Sequence, residues 1–123
     1  SVDNSNIMVL NNYAYYLSLR GENLGRAEEM AKKAVELEPD NSSYLDTYGW
    51  VLFRLGNYEE AKKWIAKAME KGESSAVVLE HYGDVLWKLD DKKEALKYWE
   101  KALKAGEGSE FLEKKVQDRT YYE

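Results

Sequence analysis

Apolar residues return along this chain at helical spacing. Leu45, Tyr48, Gly49, Leu52 and Leu55 fall at i, i+3, i+4, i+7 and i+10, which is one stripe of a helix. After Gly56-Asn57 a second stripe runs through Tyr58, Ala61, Ile65, Ala68 and Met69. Glu59 and Glu60 stand in its first turn and Lys71 in its last, as a helix dipole favours. Similar pairs of stripes precede and follow this one. The pattern predicts helices over 7–20, 24–38, 42–55, 58–71, 76–89 and 92–105. A seventh is predicted over 109–118, with Ser109 as its N-cap and Phe111, Leu112, Lys115 and Val116 along one side. It reads as a cap helix; the alternative is the first helix of a truncated fourth unit.

The pairs are copies of one another. Ala27, Ala61 and Ala95 lie 34 residues apart, as do Ala34, Ala68 and Ala102. Leu10, Leu45 and Leu79 are spaced 35 and 34, and Tyr13, Tyr48, Tyr82 and Leu17, Leu52, Leu86 keep that phase. The extra residue of the first unit falls between Gly21 and Ala27, where it lengthens a turn. Three units follow, 7–41, 42–75 and 76–108, then a cap and a tail over 119–123, all read as a single domain over 1–123. Ala14, Gly49 and Gly83 share one phase. A mid-helix glycine costs about 1 kcal/mol against alanine. Its recurrence implies that close helix packing offsets the cost.

This arrangement resembles the tetratricopeptide repeat (TPR), on Leu45, Tyr48, Gly49, Leu52, Ala61, Ile65 and Ala68 in the second unit. The third carries Leu79, Tyr82, Gly83, Leu86, Ala95, Trp99 and Ala102; the first carries Leu10, Tyr13, Ala14, Leu17, Ala27, Ala31, Ala34 and Pro39. Glu73 and Glu107 replace the unit-ending Pro in later units, and Asp90 stands where a turn Gly is usual. The resemblance implies an all-α fold, an α–α superhelix of helix-turn-helix units, with protein binding as its use. Residues 45–56 and 81–89 also look like the last repeats of long bacterial TPR proteins, many of them envelope-associated scaffolds or adaptors. With its opening Ser, the chain then reads as the C-terminal piece of a longer array.

Composition narrows the function. No cysteine is present, so disulfides, thiolate metal sites and cysteine nucleophiles are excluded. A net charge of −5 argues against a nucleic-acid binder. No apolar run approaches a membrane span. The one histidine, His81, has Glu80 and Asp84 nearby but no second histidine at metal-ligand spacing. No phosphate-binding loop or nucleophile elbow occurs. Asp90-Asp91 reads as a helix stop and cap, and the sequon Asn41-Ser42-Ser43 as a cap junction. No catalytic, cofactor or metal residues are expected.

In the family the resemblance names, first helices line the concave face and ligands lie across it. Positions at i, i+4 and i+7 on those helices define the expected groove: Asn11, Tyr15 and Ser18; Asp46, Trp50 and Phe53; Glu80, Asp84 and Trp87; with Arg54 and Lys88 along one edge. This groove is aromatic and acidic, and suits a peptide with apolar and basic side chains. The packing alternative sets Trp50, Phe53 and Trp87 between neighbouring helices; Trp64, Tyr98 and Trp99, on second helices, are expected to pack. The family's carboxylate clamp uses Lys, Asn and Arg at positions that here hold Asn11, Tyr15, Thr47, Val77 and His81; one Asn matches and the cations are missing, so that mode is rejected. The second helices carry 12 of the 18 Lys and Arg, read as a solvated outer face with i, i+4 pairs such as Glu28–Lys32, Glu29–Lys33, Glu59–Lys63 and Glu100–Lys104. The expected partner is a protein or peptide, with neither nucleic acid nor membrane insertion. The alternative function is a structural segment of a longer array, docking or self-associating through an uncapped N-terminal edge around Ile7, Leu10 and Tyr13.

Overall fold

A computed structural model describes residues 4–72 and 74–123; Ser1 and Glu73 lie outside them. Among the described residues there are seven helices and no strand: α1 (Asn4–Arg20), α2 (Leu24–Leu37), α3 (Ser42–Arg54), α4 (Tyr58–Lys71), α5 (Ala76–Lys88), α6 (Lys92–Ala105) and α7 (Leu112–Asp118). All seven end within one residue of the predicted limits, and α1, α4, α6 and α7 end on them. The starts differ at two places. α1 begins three residues early and runs through Asn6. α7 begins three residues late, after a turn in which the Ser109 carbonyl oxygen accepts from the Leu112 amide at 3.2 Å.

The chain was read as one domain; its helices gather into two compact units, residues 1–72 with α1–α4 and residues 73–123 with α5–α7. In the first unit α1 packs on α2 and α3, α2 on α3, and α3 on α4. In the second, α5 packs on α6, and α6 on α7.

The recurring small residues sit where helices meet. A Cβ at Gly49 would lie 2.5 Å from Ile65 Cγ1 and 3.3 Å from the Ala61 carbonyl oxygen. One at Gly83 would lie 2.5 Å from Trp99 Cδ1 and 3.2 Å from the Ala95 oxygen. Ala14, Ala27, Ala61 and Ala95 are all fully buried. Glycine thus lets α3 reach α4 and α5 reach α6 at backbone distance.

Each first helix ends in the same way. Gly21, Gly56 and Asp90 adopt left-handed φ of 68°, 87° and 66°. The next amide closes a wide turn: Glu22 N–H donates to Leu17 O (3.1 Å), Asn57 to Leu52 O (2.9 Å) and Asp91 to Leu86 O (2.9 Å). This is the pattern of a Schellman stop, where glycine is preferred. Asp90 is the aspartate that departs from the repeat's glycine, and aspartate tolerates this region better than most residues. The following first helices are capped by side chains. Asn41 Oδ1 accepts from Tyr44 N–H at 3.1 Å and Ser75 Oγ from Val78 N–H at 3.3 Å.

On the second helices Trp64 meets Tyr48 edge-on at 5.0 Å and Tyr98 meets Tyr82 edge-on at 4.7 Å. Lys67 lies over Trp64 and Lys101 over Tyr98, 34 residues on. Trp99 is completely buried. These aromatics pack, as expected. The outer ion pairs Lys63–Glu60 and Lys97–Glu94 run i, i+3 rather than i, i+4. Their exposure limits each to a few tenths of a kcal/mol, ~0.3.

Candidate functional site

In the first unit the expected groove residues are mostly enclosed. Asn11, Ser18, Asp46, Trp50 and Phe53 are all buried. Ser18 turns inward and donates to the Tyr15 carbonyl oxygen at 2.6 Å, leaving its hydroxyl engaged with its own helix. Asn11 donates from Nδ2 to Asn12 Oδ1 at 3.4 Å. Trp50 stacks on Phe53 with centroids 4.5 Å apart, and Phe53 leans on Tyr58 at 5.4 Å. This aromatic run matches the packing alternative, because i, i+3 spacing brings the two rings together on α3 before any ligand arrives. Tyr15 and Arg54 remain half-buried. The Arg54 guanidinium passes the α1–α2 turn, where a Cβ on Gly21 would lie 3.0 Å from it.

In the second unit the acidic residues have a different role from the one expected. Glu80 and Asp84 are each 3% exposed. They stand one turn apart on α5, and both are bound by Lys115 of α7: Nζ lies 2.7 Å from Glu80 Oε2 and 2.8 Å from Asp84 Oδ1. Glu80 also accepts from the Ser109 amide at 2.7 Å and from the Ser109 hydroxyl at 2.5 Å. Asp84 accepts from the Trp99 indole N–H at 3.0 Å. Gly108 leaves the space this needs, since a Cβ there would strike Glu80 Oε1 and Leu112 Cδ2. Glu80 and Asp84 are therefore corrected from groove residues to a buried ion cluster that fastens the cap; Ser109 donates to Glu80 while its Oγ also accepts from the Phe111 amide at 3.2 Å at the entry to α7.

The cluster shifts two acids in opposite directions. Burial pushes Glu80 up, but hydrogen bonds from Lys115 and Ser109 outweigh it and leave Glu80 below its ordinary 4.5. For Asp84 burial dominates, and Lys115 recovers only part, so its pKa rises from 3.8 to about 6. His81 is buried on the same helix and also favours the charged form of Asp84.

Sequence reasoning missed Lys115, although its register gave a signal. Ser109, Leu112, Lys115 and Val116 stand 34 residues after Ser75, Val78, His81 and Tyr82. α7 thus holds the phase of a fourth first helix, and it serves as the cap. The tail follows it back. Tyr121 lies under Lys88 at 4.7 Å and Lys115 at 5.2 Å, and Tyr122 O–H donates to Asp118 Oδ2 at 2.6 Å.

Two expected residues of the second unit keep open surface. Trp87 is half-buried, stacked on Trp99 at 5.4 Å with Lys92 over its ring at 4.9 Å; Lys88 is exposed. Among the described residues no three His, Asp or Glu side chains are grouped to hold a metal. No helix there is long and apolar enough to cross a membrane.

Comparison with known proteins follows the same lines. A TPR repeat-containing protein of Pseudomonas aeruginosa is 38% identical over 58 residues, 47% of this chain and 10% of its own length. The chain thus spans about a tenth of that relative. Among solved structures, the first TPR domain of Spaghetti (RPAP3), bound to the HSP90 peptide SRMEEVD, overlays with a TM-score of 0.81 at 19% identity, covering 96% of this chain and 95% of that one. YrrB, a TPR protein with an unusual peptide-binding site, gives 0.67 at 31% identity, over 79% of this chain and 50% of its own. The tetratricopeptide repeat profile matches residues 6–112, and the chain belongs to the tetratricopeptide repeat family.

Proposed function

We propose that this chain is a non-enzymatic adaptor that holds a peptide or protein segment on the first helices of its units. Tetratricopeptide repeats form a protein-interaction fold, and related domains such as that of Spaghetti (RPAP3) carry a bound peptide. The observation that most supports the reading is Trp87. It is anchored from behind by Trp99, keeps part of its surface open, and has the exposed Lys88 beside it. A rigid, half-buried Trp offers large contact area at low entropic cost, which is how binding hot spots are built.

Each unit offers its own contacts, Tyr15 and Arg54 in the first and Trp87 and Lys88 in the second. In the first unit Trp50 and Phe53 are buried and stacked on each other. Lys115 satisfies Glu80 and Asp84 internally, so they exert little pull on a basic partner. The partner therefore contributes mainly apolar side chains. The carboxylate-clamp mode lacks its cations here, and the peptide SRMEEVD serves as a negative probe.

The test is selection of peptides from a random 12-residue display library on the intact chain, then titration by tryptophan fluorescence. Tyr15→Ala should weaken peptides held by the first unit, and Trp87→Ala those held by the second, roughly tenfold or more while helicity is unchanged. Full affinity in both variants, or tight binding of SRMEEVD, would overturn the reading.

A further inference from the structure

From Ser109 onward the chain runs along α5 in the same direction as that helix. Ser109 meets Glu80, Lys115 meets Glu80 and Asp84, and Tyr121 meets Lys88, so rising positions on one segment follow rising positions on the other. Glu80, Asp84 and Lys88 stand at i, i+4 and i+8, on one side of α5. The C-terminal segment therefore covers the side of α5 from which a partner would reach Lys88.

The cover has two parts of unequal strength. α7 is fixed by the Lys115 cluster, which is almost wholly shielded from water. The tail beyond it is held at the surface. Arg119 reverses the chain in a left-handed conformation, φ 57°, which an L-residue adopts at a cost, and Thr120 N–H closes the turn on Lys115 O at 3.2 Å. Tyr122 leans back on α7, with Lys114 over its ring at 4.6 Å and its hydroxyl donating to Asp118. Tyr121 reaches α5 instead, and its ring carries Lys88 Nζ at 4.7 Å and Lys115 Nζ at 5.2 Å. A ring–cation contact at an exposed ammonium such as Lys88 is weak enough to exchange for another of its kind.

We propose that Tyr121 is a displaceable occupant of the Lys88 face of α5, and that a partner binding there supplies an aromatic side chain in its place. The first statement stands on contacts within the chain; the second rests on the adaptor reading. The chain's own occupant shows the chemistry this face accepts. An aromatic ring presents its negative face to Lys88 and falls at the same end of α5 as Trp87. A basic side chain would meet Lys88 and also Lys92, whose ammonium lies over Trp87, while Glu80 and Asp84 are already bound to Lys115. A partner takes only molecules whose tail is open, so the closed fraction weakens its apparent affinity.

The test has one arm without a partner and one with. In the first, the full chain is briefly treated with acetic anhydride and read by mass spectrometry. Lys88 should be acetylated roughly threefold faster in Tyr121→Ala than in the wild type, with the exposed Lys93 and Lys104 unchanged as internal standards. Tyr121→Phe keeps the ring and should react as the wild type does. Equal Lys88 rates in Tyr121→Ala and the wild type overturn the occupant, and a rise shared by Lys93 and Lys104 counts against it as general loosening. In the second arm, display-selected peptides that Trp87→Ala weakens should bind Tyr121→Ala roughly threefold tighter than the wild type, and should carry Phe, Tyr or Trp. Unchanged affinity for Tyr121→Ala, or peptides without an aromatic residue, overturns the exchange. If selection yields no peptide that depends on Trp87, the adaptor reading of this unit fails and the exchange with it, while Lys88 acetylation still decides the contact within the chain.

Discussion

Lys115 of α7 and Glu80 of α5 meet at 2.7 Å across 35 residues of sequence, and both side chains are almost wholly shielded from water. Asp84 joins the same ammonium at 2.8 Å, so one cation answers two anions. Ser109 adds two donors to Glu80, and the Trp99 indole N–H adds one to Asp84 Oδ1. A buried cluster of this kind adds little net stability against an apolar isostere, but removing one member is costly. Lys115→Ala should therefore destabilise the second unit by about 3–5 kcal/mol. Lys115→Met combined with Glu80→Gln and Asp84→Asn should recover much of the loss. Urea denaturation followed by far-UV circular dichroism checks both; a Lys115→Ala loss under ~1 kcal/mol contradicts the account.

The two carboxylates predict opposite pH limbs. Glu80 is held below 4.5, so its contribution is present above that value and is lost as pH falls through its folded-state pKa. Asp84 is raised from 3.8 to about 6, so its contribution is full below 3.8 and declines as pH rises through about 6. Asp84→Asn should flatten the stability profile between pH 4 and 6. Glu80→Gln should flatten the acid limb instead. Denaturation midpoints across pH 3–8 distinguish them, and identical profiles in both variants count against the assignment.

Glycine at the helix crossings is required for space, since α3 and α4 leave no room for a methyl group. Gly49→Ala should cost about 1–3 kcal/mol despite alanine's better helix propensity. Its Cβ meets Ile65 Cγ1, so adding Ile65→Val should not relieve it, because valine keeps both γ-carbons and the Ala61 oxygen and residue 65 amide also remain. Thermal melts of the single and double variants measure this.

The turns give a cleaner test of backbone strain. Gly56 has left-handed φ and nothing within 4 Å of a Cβ, so Gly56→Ala should lose about 1 kcal/mol through the backbone alone. Asp90 holds the same conformation and makes only a long, exposed contact with Lys92, 3.8 Å. Asp90→Gly should gain about 0.5–1 kcal/mol. If Asp90→Gly destabilises the chain, the turn argument is wrong.

The fold was legible because one period recurs three times, and alanine and glycine at fixed phases mark where helices cross. The start of α1 was not, because Asn6 holds the register of the caps Asn41 and Ser75 yet the helix continues past it. The candidate site was legible only as a face. Periodicity puts Glu80 and Asp84 together on α5 but does not say what covers them. Lys115 falls on the apolar side of the cap helix with Phe111, Leu112 and Val116, but the spacing names no partner for its ammonium. Its partners lie 31 and 35 residues away, beyond any single helix, and only the 34-residue register links them. Trp50 and Phe53 were ambiguous for a related reason. An aromatic at a ligand-facing position and an aromatic at a packing position leave the same spacing.

Trp99 gives the cluster an optical consequence. Its indole N–H is bonded to the carboxylate that titrates near pH 6, and its ring lies 5.4 Å from Trp87 at 29°. Two indoles so close couple their transitions, so the pair carries a chiral signature separate from the helical signal. That signature, together with Trp99 emission, reads the state of the fastening between α7 and α5 in solution without any added label. The chain carries its own gauge of whether its C-terminal end is closed.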